Sequence, residues 1–419
     1  MADRMDRRKA GFIPGLSAFV FLLMPLMRSV GSRVFGGWSV QIALLLTCVA
    51  SMAVHILYKY RRIQIPVHPL DIFWVMMCVF LLVRNQSIAD GYYIDALFYL
   101  LAMAYGVMLR CEAAGFAAMR KTMVAFALFY AAITWLSFLA PSLYIARVVP
   151  FLPESDHSRV YVAFTQFREY MGLTNHYSRN AYYQTLGMIV LLSDLMAGEP
   201  RYRIPKAAMI AFLGATLLLV GKRGHTIFLV FAFLATYVMR RRPSPGTFVK
   251  AGGIAAMITL LAALATLLIP GADRLAERLF VADGVDFTTG RSELYARAWA
   301  MFKVNPLFGS GWGAFTRSIR YEVVGVHNDY LQLLAEVGII GTCVVLAANF
   351  GTYVMTWRLM RELPGDGGTE SLIVLSFFFQ TFFLSYSLTG VPHYDFEVYM
   401  VYFLLSSAAF AARFRRLRE

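Results

Sequence analysis

Val249-Lys-Ala-Gly-Gly-Ile-Ala-Ala-Met-Ile-Thr-Leu-Leu-Ala-Ala-Leu-Ala-Thr-Leu-Leu-Ile269 decides the fold class. Its only charged residue is Lys250, near the start. As an α-helix, a run of this length reaches about 30 Å, the thickness of a bilayer's hydrocarbon core. A membrane-crossing helix needs this because every backbone polar group must be satisfied within the segment. Comparable runs recur on both sides of it, at about 12–27, 37–58, 69–83, 94–109, 122–140, 180–197, 206–221, 224–239, 328–356, 371–389 and 395–412. Together they predict an all-α integral membrane protein of about twelve transmembrane helices, one polytopic domain over 1–419. The composition agrees. Of 419 residues 59% are hydrophobic and only 15% charged, against the roughly 25% of a soluble domain.

The net charge of +14 would suit nucleic acid, but the cations sit in short connections between apolar runs, so they are read as topology and no nucleic-acid partner is expected. With the N-terminus placed in the cytoplasm, the inner connections hold 23 of the 39 Lys and Arg residues. Most cations of the outer side fall in its two long segments, 141–179 and 270–327. Both termini are therefore expected inside, and function is expected at the outer face. A cleavable leader ending near Ser29 and Gly31 is the alternative for the first run. Cys48, Cys78, Cys111 and Cys343 form no CxxC, and neither a disulfide framework nor a zinc site is expected.

Segment 270–327 opens with an amphipathic stretch, Pro270 to Leu279. A helix is predicted over 286–302, capped by Thr289 or Ser292 and stopped by Asn305-Pro306. It places Arg291 in the first turn, where a cation and free N–H groups together suit an anion. Phe308-Gly-Ser-Gly-Trp-Gly-Ala-Phe315 follows; it lacks the Lys-Ser/Thr of a P-loop and is read as a tight turn in preference to a phosphate cradle. Val326-His-Asn-Asp-Tyr-Leu-Gln-Leu-Leu-Ala-Glu-Val-Gly-Ile-Ile-Gly341 then begins the next span. His327 lies beside the cap candidates Asn328 and Asp329, and Gln332 and Glu336 follow at four-residue spacing on one face. A polar stripe entering a membrane marks a cavity or a partner.

A second cationic point is Val220-Gly-Lys-Arg-Gly-His-Thr226, which holds Lys222 and Arg223 in an almost absent connection. Snorkelling explains one such cation, and an anion clamp explains the pair with its flanking glycines. Segment 141–179 adds Arg147, His157, Arg159, Arg168, His176 and Arg179. Arg147 is singled out as close to the membrane, and the others are as readily solvated loop charges as parts of a basic, aromatic binding surface.

Gly290-Arg291, Asn305-Pro306-Leu-Phe-Gly-Ser-Gly311, the His327–Gly341 run and Arg223-Gly224 together resemble the O-antigen ligase family, in the wider group of O-antigen polymerases and protein O-oligosaccharyltransferases. Lys222 departs from the small residue common there. The resemblance implies a GT-C-like glycosyltransferase with short helices in periplasmic segments, working at the periplasmic face of a Gram-negative inner membrane. Its donor is a glycan on undecaprenyl diphosphate and its acceptor a sugar hydroxyl of lipid A–core. It implies inversion in lipopolysaccharide biosynthesis, without metal or cofactor. His327 then serves as base, and Arg223, Arg291, Lys222 and Arg147 bind the diphosphate. A polymerase or protein transferase is the first alternative. A transporter of lipid-linked glycan is the second, and it would place broken helices near the bilayer midplane. The mechanism requires Arg223, Arg291 and His327 to converge in space. Repeat-unit sugars and oligomeric state are left open.

Overall fold

The computed structural model describes residues 12–26, 30, 38–61, 66–83, 92–165, 169–198, 202–241, 243–268, 291–318, 325–362 and 367–416. The stretch 270–279, the cap candidate Thr289, Gly290, Arg168, and the leader site at Ser29 and Gly31 lie outside them. Among the described residues the regular structure is helical. The long helices are α1 (Phe12–Leu26), α2 (Trp38–Tyr60), α3 (Asp71–Val83), α4 (Tyr92–Leu109) and α5 (Ala113–Leu139). Two short ones follow, α6 (Pro141–Arg147) and α7 (Glu154–Thr165). Next come α8 (Tyr177–Met196), α9 (Arg203–Val220), α10 (Arg223–Arg241) and α11 (Pro245–Leu268). The chain continues through α12 (Arg291–Val304), the short α13 (Ala314–Ser318), α14 (Asp329–Glu362), α15 (Gly367–Tyr386) and α16 (Phe396–Arg416).

Each apolar run of the sequence falls on one of these helices. Among the described residues six stretches are long and apolar enough to cross a membrane: Val40–Tyr60, Ala114–Leu139, Arg203–Val220, Pro245–Leu264, Asp329–Glu362 and Thr369–Tyr386. α1, α3 and α4 contribute shorter apolar stretches. The chain is a multi-pass helical membrane protein. α8 is more polar because it carries Arg179, Asn180, Gln184 and Asp194, and it buries the last three among its neighbours.

The interior is aromatic. Phe378, Phe379, Phe382 and Phe383 of α15 pack with Tyr399 and Tyr402 of α16, all buried. Between lipid-solvated helices water exclusion gives little, so close packing must hold the pairs together. Gly187 of α8 shows this: a Cβ there would lie 2.3 Å from the Ala127 side chain of α5. α11 is the opposite case, leaving Val249, Met257, Leu260, Leu261 and Leu264 exposed. Such an apolar, outward-facing helix fits a lipid neighbour.

One end of the bundle is fastened by charge. Lys59 pairs with Glu112 at 2.9 Å, Arg110 with Asp71 at 2.7 Å, and Lys206 with Asp194 at 3.0 Å, while Arg240 pairs with Glu370. The other end carries His327, Lys222 and the start of α8, where a cavity opens.

α14 is not continuous. Gly338 takes φ 65° and ψ −172°, which breaks the helix nine residues after Asp329, about 13 Å along its axis. The chain at 306–311 fills the break. Ser310 N donates to Ala335 O at 3.1 Å and Gly311 N to Glu336 O at 2.8 Å. Ile339 N donates to Pro306 O at 2.8 Å, and Ile340 N to Leu307 O at 3.1 Å. Backbone groups freed within a membrane helix need such partners. The glycine-rich stretch therefore clasps a broken helix, a role beyond the tight turn read from sequence. The helix before it does stop at Asn305, as Asn305-Pro306 predicted.

Candidate active site

His327 sits in the connection leading into α14 with φ 57°, the left-handed region. Such a position costs about 1–3 kcal/mol and persists where neighbours over-determine it. Its flanking residues do so. Val326 N donates to Gln332 Oε1 at 2.9 Å, and the Val326 side chain is buried with Ala298, Phe315 and Ala335. On the other flank, Asn328 Oδ1 accepts from Leu331 N at 3.0 Å, which makes Asn328 the cap of α14.

Asp329, the other cap candidate, turns inward. Its Oδ2 accepts from Ser387 Oγ at 3.1 Å, from His393 N at 3.2 Å and from His393 Nδ1. His393 Nε2 meets the Asn349 side-chain amide, so both ring nitrogens are engaged. This buried group ties the α15–α16 connection to the start of α14.

The polar stripe also has distinct duties. Gln332 reaches the cavity as well as Val326. Glu336 is buried below it. Its Oε2 accepts from Gly313 N at 2.7 Å and its Oε1 from Phe315 N at 2.9 Å. Gln332 Nε2 lies 3.4 Å from Glu336 Oε1. Glu336 thus orients polar neighbours, holding α13 where Thr316 faces the cavity.

The cavity measures ≈ 490 Å³. His327, Lys222, His176, Arg159, Arg179 and Asp395 supply its titratable lining with His225 and three tyrosines. Lys222 Nζ stands 4.6 Å from the Tyr177 ring centroid. Burial pushes His327 down to about 4, and the charges of Arg291 and Lys222 act in the same direction. Arg291 therefore lies within electrostatic reach of His327. His176 is pushed down to about 3 by burial, then by Lys222, Arg159, Arg179 and His327. Its Nδ1 caps α8 by accepting from Ser178 N at 3.0 Å. Both rings are held neutral in a cationic surrounding, the field an anion would relieve.

The structure thus brings His327 and Lys222 into one cavity, while Arg291 acts on His327 electrostatically from outside the lining residues. Arg223 opens α10, half-buried beside Lys222 but outside the cavity lining. Arg147 ends α6, exposed, and is not among the lining residues. Of the other basic residues within 141–179, Arg159, His176 and Arg179 do line the cavity. His176 does so by capping α8, which carries Arg179 in its first turn. Asp395 was not foreseen. It faces Arg179, with Oδ2 3.9 Å from Nε, and Glu397 Oε1 is 3.7 Å from the same nitrogen. The pairing of the acids at the start of α16, Asp395 and Glu397, with Arg179 in the first turn of α8 was the available signal. Among the described residues no three His, Cys, Asp or Glu side chains are grouped as a metal set.

These features define a helical membrane protein with an anion-attracting, histidine-bearing cavity at one end. Residues 208–346, about a third of the chain, match the family model described as O-antigen ligase. The matched stretch runs from α9 through the break in α14 and includes Lys222, Arg223, Arg291, the 305–311 clasp and His327. No curated protein matches the chain.

Proposed function

We propose that the chain is an O-antigen ligase, an inverting glycosyltransferase of the polytopic GT-C type with twelve membrane-crossing helices. It resides in a Gram-negative inner membrane with both termini in the cytoplasm and the His327 cavity facing the periplasm. The donor is a glycan on undecaprenyl diphosphate, and the acceptor is a sugar hydroxyl of lipid A–core. One observation carries the reading: within the family-matched stretch, His327 shares a cavity with Lys222 and lies in the field of Arg291.

The chemistry follows from that grouping. The acceptor oxygen attacks the anomeric carbon in line as the carbon–oxygen bond to the diphosphate breaks. The hydroxyl proton passes to His327. The leaving diphosphate gains charge, and fixed cations stabilise that change more than the ground state. In this reading Lys222 and Arg291 take that role, with Arg223 as support and Arg147 as the outermost candidate. A base held down at about 4 is weak in the empty cavity. An arriving diphosphate offsets the two cations, so His327 becomes a stronger base when the donor is seated.

The test is deletion of the gene in its host, followed by a lipopolysaccharide gel with a parallel probe for carrier-linked glycan. Loss of attached polymer with accumulation on the carrier lipid supports ligation. Core bearing a single repeat unit would make the chain a polymerase. An unchanged pattern would direct the search to a protein acceptor.

One observation favours transport of lipid-linked glycan as the second reading. The break in α14 lies about 13 Å along the helix from the cavity end, at the depth where transporters place broken helices. An Arg291→Ala chain that binds donor but transfers no sugar would speak against transport.

A further inference from the structure

At the end of the bundle away from His327 lies a second cavity, of ≈ 900 Å³. It is walled by His68, Pro69 and Leu70 ahead of α3, by the second half of α14, and by Arg413 near the end of α16. Ala347, Phe350, Gly351, Val354 and Met355 recur at three- and four-residue spacing and make one apolar strip on α14. Phe350 and Val354 are 44% and 40% exposed, an apolar surface on a membrane-length helix that a lipid chain can cover. From Ala347 to Arg358 the strip runs about 16 Å, comparable to an extended acyl chain.

The mouth is polar and mostly cationic. Arg358 and Arg413 line it, with Glu362 at its edge. Arg413 Nη1 stands 3.2 Å from His68 Nε2. Burial holds His68 below its ordinary value, and Arg413 pushes the same way. Neighbouring cations are otherwise engaged. Arg110 binds Asp71 and the Pro66 carbonyl, and Arg361 lies over the Trp357 ring at 5.0 Å. Two arginines against one carboxylate leave the mouth net positive, at the end of a lipid-facing apolar strip.

We propose that this cavity binds one anionic glycerophospholipid, with its phosphate diester between Arg358 and Arg413 and an acyl chain along Ala347–Val354. Arginine's planar fork matches the two free oxygens of a phosphate diester. The apolar strip accounts for the chain, and the positive mouth for the preference over a zwitterionic headgroup. The bound lipid would fasten α14 to α16 and to the connection before α3, at the far end of the helix that begins with His327.

The experiment is native mass spectrometry of the full chain in detergent. The probes are phosphatidylglycerol and phosphatidylcholine of identical acyl composition. One phosphatidylglycerol per chain is expected to be retained at least tenfold more strongly than phosphatidylcholine. The Arg358→Ala/Arg413→Ala chain should lose that preference, while Arg241→Ala keeps it. Ala347→Phe, which fills the strip and leaves both arginines in place, should also weaken retention, and this variant decides if the double variant fails to fold. Equal retention of the two lipids, or undiminished phosphatidylglycerol on Ala347→Phe, overturns the proposal. The readout is lipid mass, so it stands apart from any sugar-transfer activity.

Discussion

Ile339 donates its backbone N–H to the carbonyl oxygen of Pro306 at 2.8 Å, across the point where α14 leaves helical geometry. That bond and its three neighbours make residues 306–311 a substitute for one turn of helix. Gly309 and Gly338 permit the approach. A Cβ on Gly309 would lie 2.3 Å from the Glu336 carbonyl carbon, and one on Gly338 2.4 Å from the Leu307 oxygen, both at positive φ. Gly338→Ala and Gly309→Ala are each expected to destabilise the protein by more than the ~1–3 kcal/mol of strained backbone alone. Thermal unfolding in detergent measures this. Gly246→Ala, with open space around its Cβ, is the control and should shift little.

Glu336→Gln tests the link from the clasp to the cavity. The carboxylate accepts two backbone N–H groups, from Gly313 and Phe315. An amide offers one oxygen and points its NH2 at the other donor. A buried donor left unsatisfied costs about 1–3 kcal/mol. A lowered melting temperature is expected, with a larger effect on transfer rate than on donor affinity. Equal melting temperatures for variant and parent would show that α13 is held by other contacts.

The histidines give a signed pH dependence. The folded chain keeps His327 neutral down to about 4 and His176 down to about 3, against an ordinary value of 6.5. Between these limits the unfolded chain binds more protons, so stability falls as pH drops below about 6.5. The His327 share of that loss is complete below about 4. His327→Gln should therefore flatten melting temperature against pH over that window. In the proposed reaction His327→Ala should reduce transfer by about 10²–10⁴-fold, the range for losing a general base. The acid limb of kcat should also lie at higher pH than that of kcat/KM, because the bound diphosphate offsets Lys222 and Arg291.

Asp71→Ala tests the charged end. Arg110 is buried against Asp71 at 2.7 Å, and its guanidinium stacks 4.3 Å from the Phe410 ring centroid. Removing one partner strands the other, a loss of about 3–5 kcal/mol for a buried pair. A clear fall in melting temperature is expected. Lys59→Ala should cost less, because its side chain is 37% exposed and its pairing with Glu112 is partly screened.

The membrane helices were legible because a run such as Val249–Ile269 carries its reason within itself. Helix α12 was legible from Leu294, Ala298 and Met301 on one face and from the stop at Asn305-Pro306. His327 stood out through its place above Gln332 and Glu336. The break at Gly338 was not legible, since a glycine in Val337-Gly-Ile339 is unremarkable until residues 306–311 arrive to bond its neighbours. That Arg159 and Arg179 line the cavity and Arg147 does not was hidden for a related reason. Nearness to a membrane in sequence does not say which helix end turns inward, and His176 capping α8 settles that for Arg179.

The cavity's walls come from six parts of the chain: Arg159 of α7, the start of α8, the α9–α10 turn, Thr316 of α13, the approach to and first turn of α14, and the α15–α16 connection with its flanking turns. Only the α9–α10 turn, Thr316 and the start of α14 lie within 208–346. A graft of that stretch into another scaffold would carry Lys222, Arg291 and His327 but leave His176, Arg179 and Asp395 behind. Chimeras cut at its borders would thus keep the cationic half and exchange the half that Arg179 and Asp395 shape. The two halves can be varied separately, and glycan preference can be mapped to one or the other by exchanging segments.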